Sequence, residues 1–254
     1  MARKRCRGDW ARPDRTPPIA EWAERGVLGV RIASFVSMAD VDLGDLYQSA
    51  ERRWLQHWLD GPTLPGNPLR RGDLAPDLEL MGEDGSPVTL SSHWSQKPAL
   101  LILWRHLGCG CGLERAAQLR NDYPTYVSAG LDVVVVAPGE PERVGVYKEK
   151  YGVPAPMLAD ADYSTHRAFG LGHWSPEQAL YDAPDHYCDL AEQTGIDFQA
   201  ERRALGRPLV DDPWMQAGEF VIGVDGVIRV AYPYNYCEDF PDPRIFVTAA
   251  RLAG

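Results

Sequence analysis

The spacing of apolar and polar positions divides the chain into segments of two different periods. Residues Ala99, Leu100, Leu101, Ile102, Leu103 and Trp104 form an unbroken apolar run between Pro98 and Arg105, the pattern of a strand covered on both faces. After Gly108-Cys109-Gly110-Cys111-Gly112 the period becomes helical, with Leu113, Ala116, Ala117 and Leu119 recurring, and Pro124 is expected to kink or end that helix. Residues 131–137 read as the next buried strand, 140–151 as the next helix and 157–159 as a short strand leading into Asp160. This β-α-β-α-β alternation predicts an α/β domain with parallel pairing and right-handed crossovers.

Weaker patterns flank this centre. Residues 77–80 and 88–90 enclose a loop with Asp84-Gly85 and predict a hairpin, followed by a short helix near Ser91 with that hydroxyl as its cap. Residues 220–224 and 227–231, on either side of Asp225-Gly226, predict a second hairpin, and 245–252 a closing helix. Upstream, Leu46, Ala50, Trp54 and Trp58 recur at helical spacing among Glu51, Arg52 and Arg53, with Gly61-Pro62 as the stop. Such an aromatic stripe is expected to pack on the main domain or on a second copy, and in the latter case a homodimer forms through this helix. The division that follows is a disordered basic tail over 1–20, a helical extension and linker over 21–70, and the main domain over 71–254. Within the last, residues 171–217 exceed what the core needs and read as an insertion or lid carrying His173, His186, Cys188, Glu201-Arg202-Arg203, Asp211 and Asp212.

Charge and composition remove several classes of function. A net charge of −10 disfavours a protein that coats nucleic-acid phosphates, and the basic run from Arg3 to Arg7 reads as a solvated tail. No apolar stretch approaches the roughly 18 residues of a membrane helix. The basic N-terminus continues into prolines and charges rather than the apolar run of a secretory signal, so a cytoplasmic protein is expected. Five cysteines are too few and too irregular for a disulfide framework, so each thiol is judged by its surroundings.

Two of those thiols, Cys109 and Cys111, stand where a buried strand hands over to a helix. A thiol reacts as its thiolate, and free backbone N–H groups at a helix N-terminus stabilise that anion. Arg105 and His106 are close in sequence and supply candidate positive charge, while glycines at 108, 110 and 112 allow close backbone approach. A disulfide between thiols two residues apart closes a small strained ring and suits exchange rather than stapling. His106, Cys109 and Cys111 also offer ligand types suited to zinc or Cu(I), but no fourth partner is evident, and neither a metal nor a cofactor is expected. Cys237 lies among Tyr234, Tyr236, Glu238 and Asp239, whose acids would raise its pKa, and it reads as a packed cysteine. Cys188, near His186, and Cys6 in the tail read as incidental. Glu114 balances the helix dipole, and Asp160 and Asp162 read as a turn and cap before Ser164 and Thr165.

Gly72-Asp73-Leu74-Ala75-Pro76-Asp77-Leu78, the strand to Trp104, Arg105-His106-Leu107-Gly108-Cys109, Glu114, Leu119-Arg120 and Gly218-Glu219-Phe220-Val221-Ile222 together resemble peroxiredoxin-like proteins of the alkyl hydroperoxide reductase and thiol-specific antioxidant family. The resemblance covers about residues 70–170 and 215–252. It implies a thioredoxin-like fold, a central mixed sheet flanked by helices, and Cys109 at the place of the family's first redox cysteine. Where the family keeps a proline and then a threonine or serine, this chain has Ile102 and His106, and Ala217 stands where an arginine usually precedes the Gly-x-Phe strand. The expected function is a thiol-dependent oxidoreductase. Cys109 attacks a peroxide, disulfide or other electrophile, Cys111 resolves the product, and Arg105 and His106 support the thiolate. Small-molecule or protein thiols and disulfides are the expected partners. The alternatives are a metal-handling or partner-binding protein, and an enzyme of specialised metabolism that reuses the fold.

Overall fold

The structure, a computed structural model, describes residues 43–181 and 183–252. The tail expected over 1–20, with Cys6 and the Arg3–Arg7 run, and the first half of the expected extension lie outside the described residues. Seven strands, β1 (Glu79–Gly82), β2 (Pro87–Thr89), β3 (Ala99–Leu103), β4 (Asp132–Ala137), β5 (Met157–Ala159), β6 (Gly218–Ile222) and β7 (Ile228–Pro233), make one mixed sheet in the order β2-β1-β5-β4-β3-β6-β7. β3 runs parallel to β4, with Leu100 opposite Val133, and antiparallel to β6, with Leu101 opposite Phe220. All five β3 residues are buried, as the unbroken apolar run requires of a strand covered on both faces.

One face of the sheet packs Leu100, Ile102, Val133 and Val135 under helices α2 (Gly110–Ser128), α3 (Pro141–Tyr151) and α7 (Pro243–Leu252), which contribute Leu119, Tyr126, Val144 and Phe246. The other face packs Leu101, Leu103, Val134 and Phe220 against Leu90, Trp94, Phe169 and Leu171. α2 does not end at Pro124 but runs one turn further, because Tyr126 beyond the proline is fully buried edge-on to Phe246, with ring centroids 6.1 Å apart. β1 begins at Glu79 rather than 77, since the Asp77 carboxylate and the Leu78 carbonyl accept the N–H groups of Ser91 and Leu90. These bonds hold a 3-10 turn over Leu90–His93, and Ser91 caps nothing. The second hairpin turns over residues 223–227, wider than Asp225-Gly226 alone, with Gly223 bonded to the Val227 carbonyl and Gly226 at φ 76°. Asp160 does act as a cap: its carboxylate accepts the N–H groups of Ser164 (2.9 Å) and Thr165 (2.8 Å) at the start of α4 (Ser164–Ala168).

A third apolar cluster joins α1 (Leu43–Asp60) to the segment read as an insertion, which contains α5 (Pro176–Ala179) and α6 (Glu192–Ala204). Trp58 stacks on Trp54 and on Trp214, with centroids at 5.2 and 5.3 Å. Gly195 of α6 lies so close beneath Trp58 that a Cβ there would be 2.7 Å from the indole. Gln199 donates to the Glu51 carbonyl at 2.7 Å, and Arg203 pairs with the Glu51 carboxylate. The aromatic stripe is thus consumed within the chain, and the alternative of a homodimer through this helix loses the exposed apolar face that motivated it. Among the described residues no helix is long and apolar enough to cross a membrane.

Charge is buried too. Arg115 of α2 makes a two-point contact with Glu219 of β6, Nε to Oε1 at 2.7 Å and Nη2 to Oε2 at 2.8 Å, and the Tyr234 hydroxyl donates to the same carboxylate. This knot ties the end of β7 to α2. Glu219→Gln leaves a buried guanidinium uncompensated and is expected to lower stability by about 3–5 kcal/mol, measured by chemical denaturation. The double variant Arg115→Met/Glu219→Leu, which removes both charges, is expected to recover most of the loss.

Candidate active site

Cys109 is the N-cap of α2, in extended conformation (φ −80°, ψ 146°). The helix dipole and unpaired first-turn N–H groups therefore favour negative charge beside it. The residues before it are fixed individually. The Leu107 N–H donates to Asp211 Oδ2 at 2.8 Å, and that carboxylate is itself held by Arg143 of α3 at 2.6 and 2.8 Å. The Arg105 carbonyl accepts the Tyr163 hydroxyl at 2.9 Å, and the Tyr163 oxygen accepts the Asp212 N–H at 2.9 Å. Gly108 must lack a side chain, because a Cβ there would lie 2.4 Å from the Pro208 carbonyl oxygen.

Arg105 is buried, with Nε donating to the Met215 carbonyl (3.0 Å), Nη2 to the Pro213 carbonyl (2.7 Å), and its guanidinium 5.1 Å from the Trp174 ring centre. Burial alone would lower its pKa, but the facing sulfurs of Cys111, Cys109 and Cys237 outweigh burial and keep it charged. His106 is different. Burial holds its pKa down to about 4 despite Asp211, and Nδ1 accepts the Gly108 N–H at 2.9 Å. The 3.5 Å separation from Asp211 is therefore not a charged pair: the imidazole is neutral, with its proton on Nε2. Of the two basic neighbours that the sequence placed here, only Arg105 carries charge.

The structure brings Cys111 and, unexpectedly, Cys237 to Cys109: the three sulfurs lie within 4.8 Å of one another. The Cys109 pKa is well below that of an ordinary thiol, chiefly because Cys111 and then Cys237 direct their S–H groups at its sulfur; these outweigh burial, and Arg105 adds a smaller effect. Cys111 and Cys237 move the opposite way, because each donates a hydrogen bond to Cys109 and because both are buried. Of the three, Cys109 is the thiol that ionises most readily, while Cys111 and Cys237 hold their protons more tightly. A soft cation is the other occupant such sulfurs suit, and it would have to displace both retained protons; His106 is not part of the group. Cys188 lies outside the cluster, in the 3-10 turn Asp185–Cys188 with His186. Glu114 is on the exposed side of α2, bonded to Gln118.

A cavity of about 200 Å³ leads to Cys109 and is lined by Arg105, His106, Trp54, Phe198, Arg202 and Leu209, among others. Most of its wall comes from α1 and the insertion. Cys237 was the functional candidate that local sequence hid. The signal for it was topological: β6 is antiparallel to β3, and β7 to β6, with Leu103, Gly218 and Pro233 in register. Chain leaving β7 therefore emerges at the same end of the sheet as chain leaving β3.

A thioredoxin-like sheet with an acidic thiol at a strand-to-helix junction defines the class of thiol-dependent oxidoreductases. The chain belongs to the AhpC/TSA family, whose profile matches residues 71–231. It is 30% identical over 105 residues to Peroxiredoxin Bcp of Escherichia coli, spanning 41% of this chain and 67% of that one. It is 31% identical over 100 residues to Peroxiredoxin Bcp of Bacillus subtilis, spanning 39% and 63%. Among solved structures, Peroxidoxin BcpB from Mycobacterium tuberculosis is similar in fold, with a TM-score of 0.53 at 16% identity over 73% of this chain and 99% of that one. The peroxiredoxin-like protein from Aquifex aeolicus gives 0.51 at 14% identity, over 76% and 92%.

Two measurements test these electrostatics. The rate of Cys109 alkylation by iodoacetamide is expected to reach half its maximum well below the pH of about 8.5 typical of a free cysteine, and Arg105→Met is expected to move that midpoint upward. For His106 the folded pKa of about 4 lies below an unfolded value near 6.5. The unfolded chain therefore binds the extra proton, and the stability this residue contributes is complete above pH 6.5 and is lost as pH falls towards 4. The loss is on the order of 3 kcal/mol. His106→Asn, whose amide oxygen can accept the Gly108 N–H, is expected to flatten the acid limb in that window in denaturation curves.

Proposed function

We propose that the protein is a thiol-dependent peroxidase with Cys109 as its nucleophile. The observation that carries this reading is the single thiolate, stabilised by two S–H donors, the buried Arg105 and a helix N-terminus, at the end of an open cavity. The names of the bacterial relatives support it. The Cys109 sulfur attacks one oxygen of a hydroperoxide, the O–O bond breaks, and the alcohol or water leaves once the departing oxygen takes a proton, so that Cys109 becomes a sulfenic acid. Arg105 and His106 both line the cavity and stand in for the family residues this chain lacks: the guanidinium offers positive charge, and the His106 Nε2–H, left free by the bond to Nδ1, is the donor we assign to the oxygen on which negative charge develops. Aromatic and aliphatic walls from Trp54, Phe198 and Leu209 admit an alkyl hydroperoxide as well as hydrogen peroxide. One of the flanking thiols, Cys111 or Cys237, then condenses with the sulfenic acid, and a small-molecule or protein thiol of a reducing compartment such as the cytoplasm restores the site.

The reduced full chain is expected to consume hydrogen peroxide and cumene hydroperoxide when dithiothreitol supplies electrons. Cys109→Ser is expected to abolish consumption, and Arg105→Met to slow it by about tenfold or more, the size of effect lost with one transition-state electrostatic contact. Peroxide consumption undiminished in Cys109→Ser refutes the proposal.

A further inference from the structure

We propose that Cys237, rather than Cys111, is the thiol that resolves oxidised Cys109, closing a Cys109–Cys237 disulfide between the start of α2 and the turn after β7. The inference rests on Cys109 being the thiol oxidised and adds to that reading the partner with which it reacts.

Position is the first argument. The registered strands β3, β6 and β7 deliver both residues to the same end of the sheet, and their sulfurs lie within 4.8 Å of each other. Cys237 is also held there. Its N–H donates to the Gln178 carbonyl of α5 at 3.2 Å, while the Gln178 amide donates to the Asn235 carbonyl at 2.7 Å. The Asp239 carboxylate closes the turn on itself, accepting from Asn235 N (2.9 Å), Asn235 Nδ2 (2.7 Å) and the Tyr232 hydroxyl (3.0 Å). Just upstream, Tyr234 N–H donates to the Ala217 carbonyl and Trp174 Nε1 to the Tyr234 carbonyl. A buried thiol fixed this firmly against a neighbouring sulfur is pre-placed for reaction.

Ring geometry is the second argument. Cys111 belongs to the first turn of α2, one residue removed from Cys109, and a disulfide between them closes a small ring across the helix start, where the backbone is already committed to helical geometry. Cys237 comes from a distant part of the chain, so its bond to Cys109 closes only a long loop and imposes no such strain. The step balances with what the site holds: Cys109–SOH and Cys237–SH give the disulfide and water, the Cys237 proton leaving with the sulfenic hydroxyl. Cys111 keeps its S–H directed at Cys109 and acts as a positioning residue.

Peptide mapping of the reduced full chain after one equivalent of hydrogen peroxide, digested without reductant, decides the matter. The expected result is a Cys109–Cys237 linked peptide in the wild type and in Cys111→Ser, whose hydroxyl preserves a donor. In Cys237→Ser and in Cys237→Ala the link is lost and Cys109 accumulates as a dimedone-trappable sulfenic acid. A Cys109–Cys111 peptide in the wild type overturns the inference, as does an internal disulfide of Cys109 persisting in either Cys237 variant. The wild-type map decides even where a variant fails to fold. Sulfenic acid at Cys109 without the Cys237 link refutes this inference alone, whereas Cys109 left unoxidised in every protein refutes the peroxidase reading with it.

Discussion

A buried guanidinium is costly unless something nearby compensates it, and Arg105 is compensated in an unusual way. Its N–H groups are taken by two backbone carbonyls and its face by an indole, neither of which neutralises the charge. What faces it is the set of sulfurs of Cys111, Cys109 and Cys237, which with Tyr163 raise its pKa despite burial. Arg105 in turn lowers the pKa of Cys109, after the larger effect of the Cys111 and Cys237 S–H groups, so that ionisation of the cluster is favoured at Cys109, beside the helix N-terminus. Ionised Cys109 balances the buried guanidinium.

That balance depends on the segment that looked dispensable. Residues 171–217 supply Trp174 under Arg105, the Pro213 and Met215 carbonyls around it, Asp211 for the Leu107 N–H and the Gln178 carbonyl for Cys237. The segment is the far wall of the active site rather than a loose lid, and α1 covers it from outside through Trp54 and Trp58. The core sheet alone would present Cys109 at a helix start; the insertion gives it a fixed cation, a second thiol partner and a cavity of defined walls.

The central sheet and the placing of Cys109 at a strand-to-helix junction were legible in sequence because both leave local marks. β3 is an unbroken apolar run, and the change from that run to a helical period of 3.6 falls just after Cys109. Boundaries set by tertiary contact were not legible. Nothing near Pro124 announces that Tyr126 will be buried against Phe246, and nothing near Asp77 shows that its carboxylate will hold Ser91. Cys237 is packed and its pKa is raised, as its sequence suggested, but the cause was not legible for the same reason. Its acidic neighbours in sequence, which suggested a raised pKa, are engaged elsewhere in the case of Asp239, and what raises its pKa is first the sulfur of Cys109, far away along the chain. His106 shows the converse: adjacent in sequence to an arginine and counted as candidate positive charge, it is made neutral by burial.

The absent family residues can be understood in these terms. A hydroxyl three residues before the cysteine and an arginine ahead of the Gly-x-Phe strand place one donor and one charge around the reacting oxygen. In this chain Ala217 leaves that strand entrance apolar, and in the proposed mechanism the charge comes instead from the residue directly after the apolar run, turned inward by the carbonyls of Pro213 and Met215. The proposed donor is His106, whose Nδ1 is occupied by the Gly108 N–H, which leaves the proton to Nε2. Each replacement needs the insertion or the loop it fastens. The roles proposed for Arg105 and His106 therefore rest on the segment from Asp211 to Met215, whose Pro213 and Met215 carbonyls hold the guanidinium and whose Asp211 holds the Leu107 N–H beside the imidazole.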